Sequence, residues 1–300
     1  MNKELNKYLS SGHSACAGCA FPAIVRTVLG EAQEPVVIVN ATGCLEVTSS
    51  IYPFTAWKSS YIHSAFENAS ATASGIEAAQ KILLEKNKSN QKSKVVVFGG
   101  DGGTYDIGLQ SLSGALERGH DFLYVCYDNE GYMNTGNQRS SATPYGAETE
   151  TTPIGKNQKI GKTQLRKNLM EIVKAHNIDY LAQANVAFLE DLKMKARKAL
   201  AVAGPAFLNV FSPCTNNWKF PLSQYVNVAT LATETNFWPL YEIEKGKYKI
   251  TRQIAARKPI AEFLKTQRRF KHLFSAENKE TLEKMQQMVD EDYEKLVASI

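Results

Sequence analysis

Residues 95–138 read VVVFGGDGGTYDIGLQSLSGALERGHDFLYVCYDNEGYMNTGNQ. The β-branched and aromatic run 95–98 breaks off in glycines, which predicts a short buried strand. After Gly99, Gly100, Asp101, Gly102 and Gly103 the apolar period becomes helical, with Leu109, Leu112, Ala115 and Leu116 on one face. Residues 122–127 form a second strand, closed by Asp128 and Asn129. Strand, turn, helix and strand in that order make a parallel pair, and ligands of open parallel sheets collect outside the carboxyl ends of the strands.

Both polar clusters of the stretch fall at those ends. Glycines after the first strand let an anion approach the backbone, and the following helix offers free N–H groups and the positive end of its dipole. Asp101 and Asn129 add hard oxygen donors, suited to a magnesium ion shared with a diphosphate.

Working outward, residues 36–39 form another buried strand, running into Asn40, Ala41, Thr42, Gly43 and Cys44. Residues 206–211 form one more, ending in Ser212, Pro213 and Cys214. If these strands share the sheet, Cys44 and Cys214 emerge on the same rim as Asp101 and Asn129. The stretch GHSACAGC, residues 12–19, adds Cys16 and Cys19. Alone, Cys-x-x-Cys fits a redox pair, half a zinc site or two ligands of an iron-sulfur cluster. Four thiolates at one rim suit tetrahedral zinc or a 4Fe-4S cluster, and the bland alternative is four reduced, unliganded thiols. Cys126 lies inside the strand 122–127 and reads as core.

GDG followed, after one helix and one strand, by an Asn-containing turn is the thiamine diphosphate signature. The run DNEGYMNTGNQRSSATPYGA, residues 128–147, is narrower. With CAGC, ATGC and SPC it resembles the β subunit of pyruvate:ferredoxin oxidoreductase, in the family of 2-oxoacid:ferredoxin oxidoreductases, and the resemblance covers residues 12–214. It implies an α/β fold, a doubly wound, mostly parallel sheet of the thiamine diphosphate-binding type with a helical C-terminal extension. By the same resemblance Asp101, Asn129 and Gly131 hold Mg2+, while Gly43, Cys44, Gly100, Gly102, Gly103 and Tyr132 line the cofactor. Asn134 and Thr135 face the diphosphate and the reacting carbon, Asn134 as the catalytic residue. Phe66, in a matching SxFEN context, stacks on the aminopyrimidine ring. Cys16, Cys19, Cys44 and Cys214 hold the 4Fe-4S cluster. Ala20 and Phe21 stand where some members carry glycine and a polar residue.

The implied reaction is CoA-dependent oxidative decarboxylation of pyruvate to acetyl-CoA and carbon dioxide, with electrons passing to ferredoxin. The implied partners are an α subunit, which supplies the activating glutamate and much of the 2-oxoacid pocket, and γ and δ subunits. Another 2-oxoacid, a non-oxidative thiamine-dependent decarboxylase or synthase, and a zinc-stabilised structural subunit are the rival readings.

The chain has 300 residues and a net charge of +5. No run is long and apolar enough to span a bilayer, and the first fifteen residues lack the apolar centre of a signal peptide. A cytoplasmic location is the expectation, with no membrane contact. Basic residues gather only over 252–271, read as a solvated helix face rather than a nucleic-acid surface, with an acidic ferredoxin as a candidate docking partner. Residues 45–63 read as a loop, with a helix beginning near Ser64 whose Ala69, Ala71, Ala73 and Gly75 permit close approach. His63 is a candidate for the substrate cavity, with a capping or solvent-facing role as the alternative. Residues 139–162 read as a long irregular segment covering the cofactor, clasping a partner or lying on the surface, with Lys162 inside it. Further helices are expected over 164–174 and 189–203, and a strand over 178–182. Residues 231–241 have no clear pattern. Residues 259–300 read as two amphipathic helices, with Phe263, Leu264, Leu282, Met285, Val289, Tyr293 and Leu296 facing inward or toward a partner. The expected division is a cofactor domain over 1–240 and a helical extension over 241–300.

Overall fold

The computed structural model describes residues 7–300; residues 1–6, which begin the amino-terminal stretch read above as lacking a signal-peptide centre, lie outside the described residues. Eight strands form one sheet: β1 (Val36–Ala41), β2 (Ser60–Ser64), β3 (Lys94–Gly100), β4 (Phe122–Asp128), β5 (Tyr180–Asn185), β6 (Ala206–Phe211), β7 (Leu240–Glu244) and β8 (Lys247–Arg252). Their order is β2-β1-β3-β4-β6-β5-β7-β8. The first six strands in that row are parallel, and β7 and β8 close one edge antiparallel. The chain leaves β1 toward one edge and β3 toward the other, which makes the crevice between them a topological switch point.

Ten helices accompany the sheet among the described residues: α1 (Phe21–Gly30), α2 (Cys44–Ser49), α3 (Ala69–Glu85), α4 (Leu109–Glu117), α5 (Leu169–Lys174), α6 (Leu189–Ala201), α7 (Thr215–Trp218), α8 (Tyr225–Glu234), α9 (Ile260–Leu264) and α10 (Lys279–Ala298). The period-2 alternation of the central strands sorts them into two layers. Val96, Phe98, Leu123 and Val125 pack with Ile24, Val25 and Val28 of α1 and with Leu192, Ala196 and Ala199 of α6. Val95, Val97, Phe122, Tyr124 and the core thiol Cys126 pack on the other side, with residues of α3, α4 and α5. A third cluster around Phe211, Trp218, Trp238 and Phe263 ties the carboxyl-terminal elements to the end of β6.

Several expectations require correction. Residues 60–64 are a strand paired with β1, and helix α3 starts at Ala69. This edge strand is largely exposed, so its residues carry no buried alternation. On α3, Ala69 and Ala73 face the sheet while Ala71 and Gly75 face outward. The expected helix over 164–174 begins only at Leu169, where the Asn168 side chain accepts from the Glu171 N–H. Residues 240–252 are a hairpin of the main sheet, turned by Lys245 and Gly246 at positive φ. The division expected at 240/241 therefore falls inside β7, and helix returns only at Ile260. Beyond it, one short helix, two 3-10 turns and α10 replace the two helices expected. Phe263, Leu264 and Met285 are buried, and Leu282, Val289 and Leu296 pack against the core clusters. Among the described residues no helix is long and apolar enough to cross a membrane.

Candidate cofactor site at the switch point

Four neighbouring strands, β1, β3, β4 and β6, end on one rim. In register, Gly100 pairs with Tyr127 and Asp128 with Phe211, so Asp101, Asn129 and Ser212 leave the sheet side by side. The chain after β3 enters a π-helical turn, Gly102–Ile107, a local widening common at functional sites.

Asp101 is fully buried. Its Oδ2 accepts from Ser140 Oγ at 2.5 Å and its Oδ1 from the Asn129 N–H at 3.3 Å. Among the described residues it makes no ion pair. Burial, then the charge of Asp128, push its carboxyl well above the ordinary range. The side-chain amide atom of Asn129 facing it lies 2.9 Å from Asp101 Oδ1 and 2.9 Å from the Gly131 carbonyl oxygen. With nitrogen in that place the contacts are hydrogen bonds. With oxygen there, three oxygens meet, an arrangement that a bound cation would stabilise. In an octahedron with metal–oxygen bonds of about 2.1 Å, neighbouring oxygens stand about 3 Å apart, so the donor set and spacing fit magnesium.

The bend that brings Asn129 and Gly131 together is made at Glu130, a non-glycine residue with φ of +63°. Its N–H donates to Asp128 Oδ1 at 3.0 Å, and its carbonyl accepts from Thr143 Oγ1 at 2.7 Å. Its carboxylate is held by Arg166 at 2.6 Å and Arg269 at 2.5 Å. Arg166 also bonds Asp128 and the Tyr105 hydroxyl. Arg269 lies over the Trp218 ring, 3.5 Å from its centroid, and Trp218 Nε1 donates to the Asn129 carbonyl at 3.2 Å.

Three aromatic rings press on the glycine turn. A β-carbon on Gly102 would stand 2.4 Å from the Tyr132 ring, one on Gly103 3.2 Å from Phe66, and one on Gly100 3.1 Å from Tyr127. The glycines thus admit aromatic side chains to the backbone, a use beyond the anion approach expected of them. Phe66 and Tyr132 meet edge to face, with centroids 5.8 Å apart. Asn134 and Thr135 are exposed at the tip of the 132–138 turn, which Tyr132 closes by an N–H bond to the Gln138 carbonyl at 2.9 Å. His63 stands at the end of β2 with Nε2 2.7 Å from Thr42 Oγ1.

All four candidate cysteines line one cavity of about 230 Å³, together with Phe21, Asn129, Met133, Asn134 and Ser212. Cys19 precedes α1, Cys44 opens α2 and Cys214 caps α7. Backbone N–H groups point at two of the sulfurs: that of Phe21 at Cys19, and those of Asn216 and Asn217 at Cys214. Such donors favour a thiolate. In the metal-free chain burial wins, pushing the thiols of Cys19 and Cys44 up to about 12 and raising that of Cys214. Among the described residues no three His, Cys, Asp or Glu side chains close on a point where they could hold a single metal ion; the thiols surround a volume.

Sequence reasoning left out Ser140, Glu130, Arg166, Trp218 and Arg269. The segment 139–162 is no surface loop at its start: residues 142–147 are buried, and Lys162 is buried with Nζ donating to the Thr143 carbonyl at 2.5 Å. The basic stretch read as a solvated face contains the buried Arg269. Only a pairing of this arginine with the acidic DNE run could have flagged it, and nothing local in the sequence links the two.

Residues 41–210 match the family model described as thiamine pyrophosphate enzyme, C-terminal TPP binding domain. The pyruvate synthase subunit PorB of Thermotoga maritima is 52% identical over 296 residues, covering 96% of this chain and 91% of that protein. The PorB of Methanocaldococcus jannaschii is 48% identical over 287 residues, covering 95% of each. The ketoisovalerate oxidoreductase subunit VorB of Pyrococcus abyssi is 46% identical over 288 residues, covering 95% of this chain and 91% of that protein. Among solved structures, a chain of the 2-oxoglutarate:ferredoxin oxidoreductase of Magnetococcus marinus has the same fold, with a TM-score of 0.59 at 22% identity, covering 76% of this chain and 81% of that one.

Proposed function

Because this chain belongs to the PorB family, the thiamine diphosphate-binding β subunits of pyruvate synthase within the 2-oxoacid:ferredoxin oxidoreductases, we propose that it carries Mg-thiamine diphosphate beside a 4Fe-4S cluster. The proposed reaction is oxidation of pyruvate and CoA to acetyl-CoA and carbon dioxide, with ferredoxin as acceptor. The observation that carries this reading is the shared rim: Asn129 belongs both to the oxygen cluster with Asp101 and Gly131 and to the wall of the four-cysteine cavity.

In this reading Asp101, Asn129 and the Gly131 carbonyl hold Mg2+, and Ser140 orients Asp101. Gly43, Gly100, Gly102, Gly103, Tyr132 and Thr135 surround the diphosphate, Phe66 stacks on the pyrimidine, and Asn134 faces the reacting carbon. Cys16, Cys19, Cys44 and Cys214 hold the cluster; the N–H groups around Cys19 and Cys214 favour the anionic sulfurs it needs. When bound, thiamine diphosphate supplies a carbanion that attacks the 2-oxo carbon and a ring that takes up the electron pair, and the cluster supplies a one-electron acceptor. Burial of Asp101 and the aromatic rings on the glycine turn keep water from the metal side.

The names of the relatives imply companion subunits, and α, γ and δ subunits completing the enzyme in the cytoplasm are part of this proposal. VorB stands almost as near in sequence as the PorB proteins, so the substrate test must include branched 2-oxoacids. Anaerobic purification with co-purifying subunits, followed by assays for iron, sulfide and thiamine and for oxidation of pyruvate, 2-oxoglutarate and 2-ketoisovalerate, tests the reading. Zinc without iron or thiamine would replace it with a structural role, and thiamine without iron with a non-oxidative reaction.

A further inference from the structure

Three hydroxyls close to the four-cysteine cavity, those of Tyr127, Ser212 and Tyr225, are buried and make no hydrogen bond of good geometry, although Tyr225 and Ser212 approach each other and the Leu45 N–H approaches Tyr127. Ser212 lines the cavity itself, two residues before Cys214. Tyr127, near the end of β4, packs its ring on Phe21 with centroids 4.3 Å apart, and a β-carbon on Gly43 would stand 3.1 Å from its hydroxyl, beside Cys44. Tyr225 opens α8 and packs against the same apolar clusters as Cys19 and Cys214.

An unpaired buried hydroxyl is destabilising, because it gives up its bonds to water and gains none. Three at one cavity make sense when the missing acceptor arrives with the occupant. Burial keeps both phenols protonated, as donors, and they lie near enough to the cysteines to sense their charge: Tyr127 that of Cys44, Tyr225 those of Cys19 and Cys214. Thiolate and inorganic sulfide are acceptors. Their negative charge grows on reduction, so a hydrogen bond to them is stronger in the reduced state and raises the potential.

Resting on the cluster proposed above, we infer that Tyr127, Tyr225 and Ser212 donate hydrogen bonds to the sulfur atoms of the cluster held by Cys16, Cys19, Cys44 and Cys214 and raise its reduction potential. These residues tune the acceptor and take no part in binding the 2-oxoacid.

The test uses the full chain reconstituted anaerobically with iron and sulfide, as wild type and as the single variants Tyr127→Phe, Tyr225→Phe and Ser212→Ala. None of the three oxygens makes a hydrogen bond of good geometry in the metal-free protein, so the metal-free variants should stay close to wild type in thermal stability. Iron and sulfide content is measured first, then the potential by titration followed through electron paramagnetic resonance. Each substitution should shift the reduced-to-oxidised ratio at fixed potential by up to about tenfold toward the oxidised form, which for one electron is about 59 mV downward. The wild-type spectrum should carry couplings to exchangeable protons that each variant diminishes. A wild-type chain that takes up no iron and sulfide overturns the cluster reading and this inference with it. A loaded wild type whose potential all three variants reproduce overturns this inference alone and leaves the cluster standing.

Discussion

Arg269 Nη2 lies 2.5 Å from Oε2 of Glu130, in a contact where both side chains are buried. Glu130 separates Asn129 from Gly131, and its positive φ is what turns both toward Asp101. The two arginines on its carboxylate thus hold a bend the backbone would otherwise avoid. Glu130→Gln leaves Arg166 and Arg269 short of a buried counter-charge. The variant should lose about 3–5 kcal/mol of stability and bind Mg-thiamine diphosphate at least tenfold more weakly. Urea unfolding and calorimetric titration measure the two effects; a variant with wild-type values for both would remove Glu130 from the site's architecture.

Asp101 follows the end of β3 and Cys214 the end of β6, with β4 between them on the same rim, and the two face different groups in the proposed site. Asp101→Ala should abolish retention of thiamine diphosphate and magnesium while leaving iron and sulfide near wild-type levels. Cys214→Ala should do the opposite. The check is a paired determination of thiamine, iron and sulfide on anaerobically purified variants. Parallel loss of everything in both would mean that one structural collapse, rather than two separable sites, accounts for the rim.

Gly102 is close to Tyr132 by necessity, since a β-carbon there would stand 2.4 Å from the ring. Gly102→Ala should cost about 1–3 kcal/mol through overpacking. In a Tyr132→Ala background the same substitution should cost less than about 0.5 kcal/mol, because the obstruction is gone. A double-mutant cycle by chemical denaturation reads this directly, and equal costs in the two backgrounds would show that the ring does not set the requirement for glycine.

The central strands were legible because residues 95–98, 122–127 and 206–211 are buried on both faces and carry apolar runs, interrupted only by Asn209 in the last. From their ends the rim of Asp101, Asn129, Cys44 and Cys214 followed. Strand β2 was hidden by its exposure at the sheet edge, since Ser60, Ile62 and His63 face solvent. The hairpin after Leu240 was hidden by its Lys-Gly turn, which lacks the Asn-Gly or Asp-Gly pair that marks such turns. Arg166 and Arg269 were out of reach for a different reason: their partner Glu130 lies 36 and 139 positions away along the chain. Short-range patterns carry the strands, whereas a buried ion network is fixed only by tertiary contact.

Lys162 gives the segment after the turn a measurable pH signature. Burial, reinforced by the charges of Arg166 and Arg139, lowers its ammonium group from the ordinary lysine value to about 8. In the unfolded chain it titrates near 10.5. Below pH 8 both states carry the proton and the penalty for burying the charge is constant. Between pH 8 and about 10.5 the unfolded state binds more protons than the folded one, so this residue makes stability rise with pH. The gain is at most about 3 kcal/mol. Tyrosines and cysteines also titrate in this window, so the contribution is isolated by difference. Unfolding free energies of wild type and Lys162→Met, measured at pH 7.5 and pH 10, should show wild type gaining on the variant as pH rises. A difference that stays flat, or moves the other way, would mean that Lys162 keeps its charge inside the fold and that the Thr143 carbonyl, with water, solvates it.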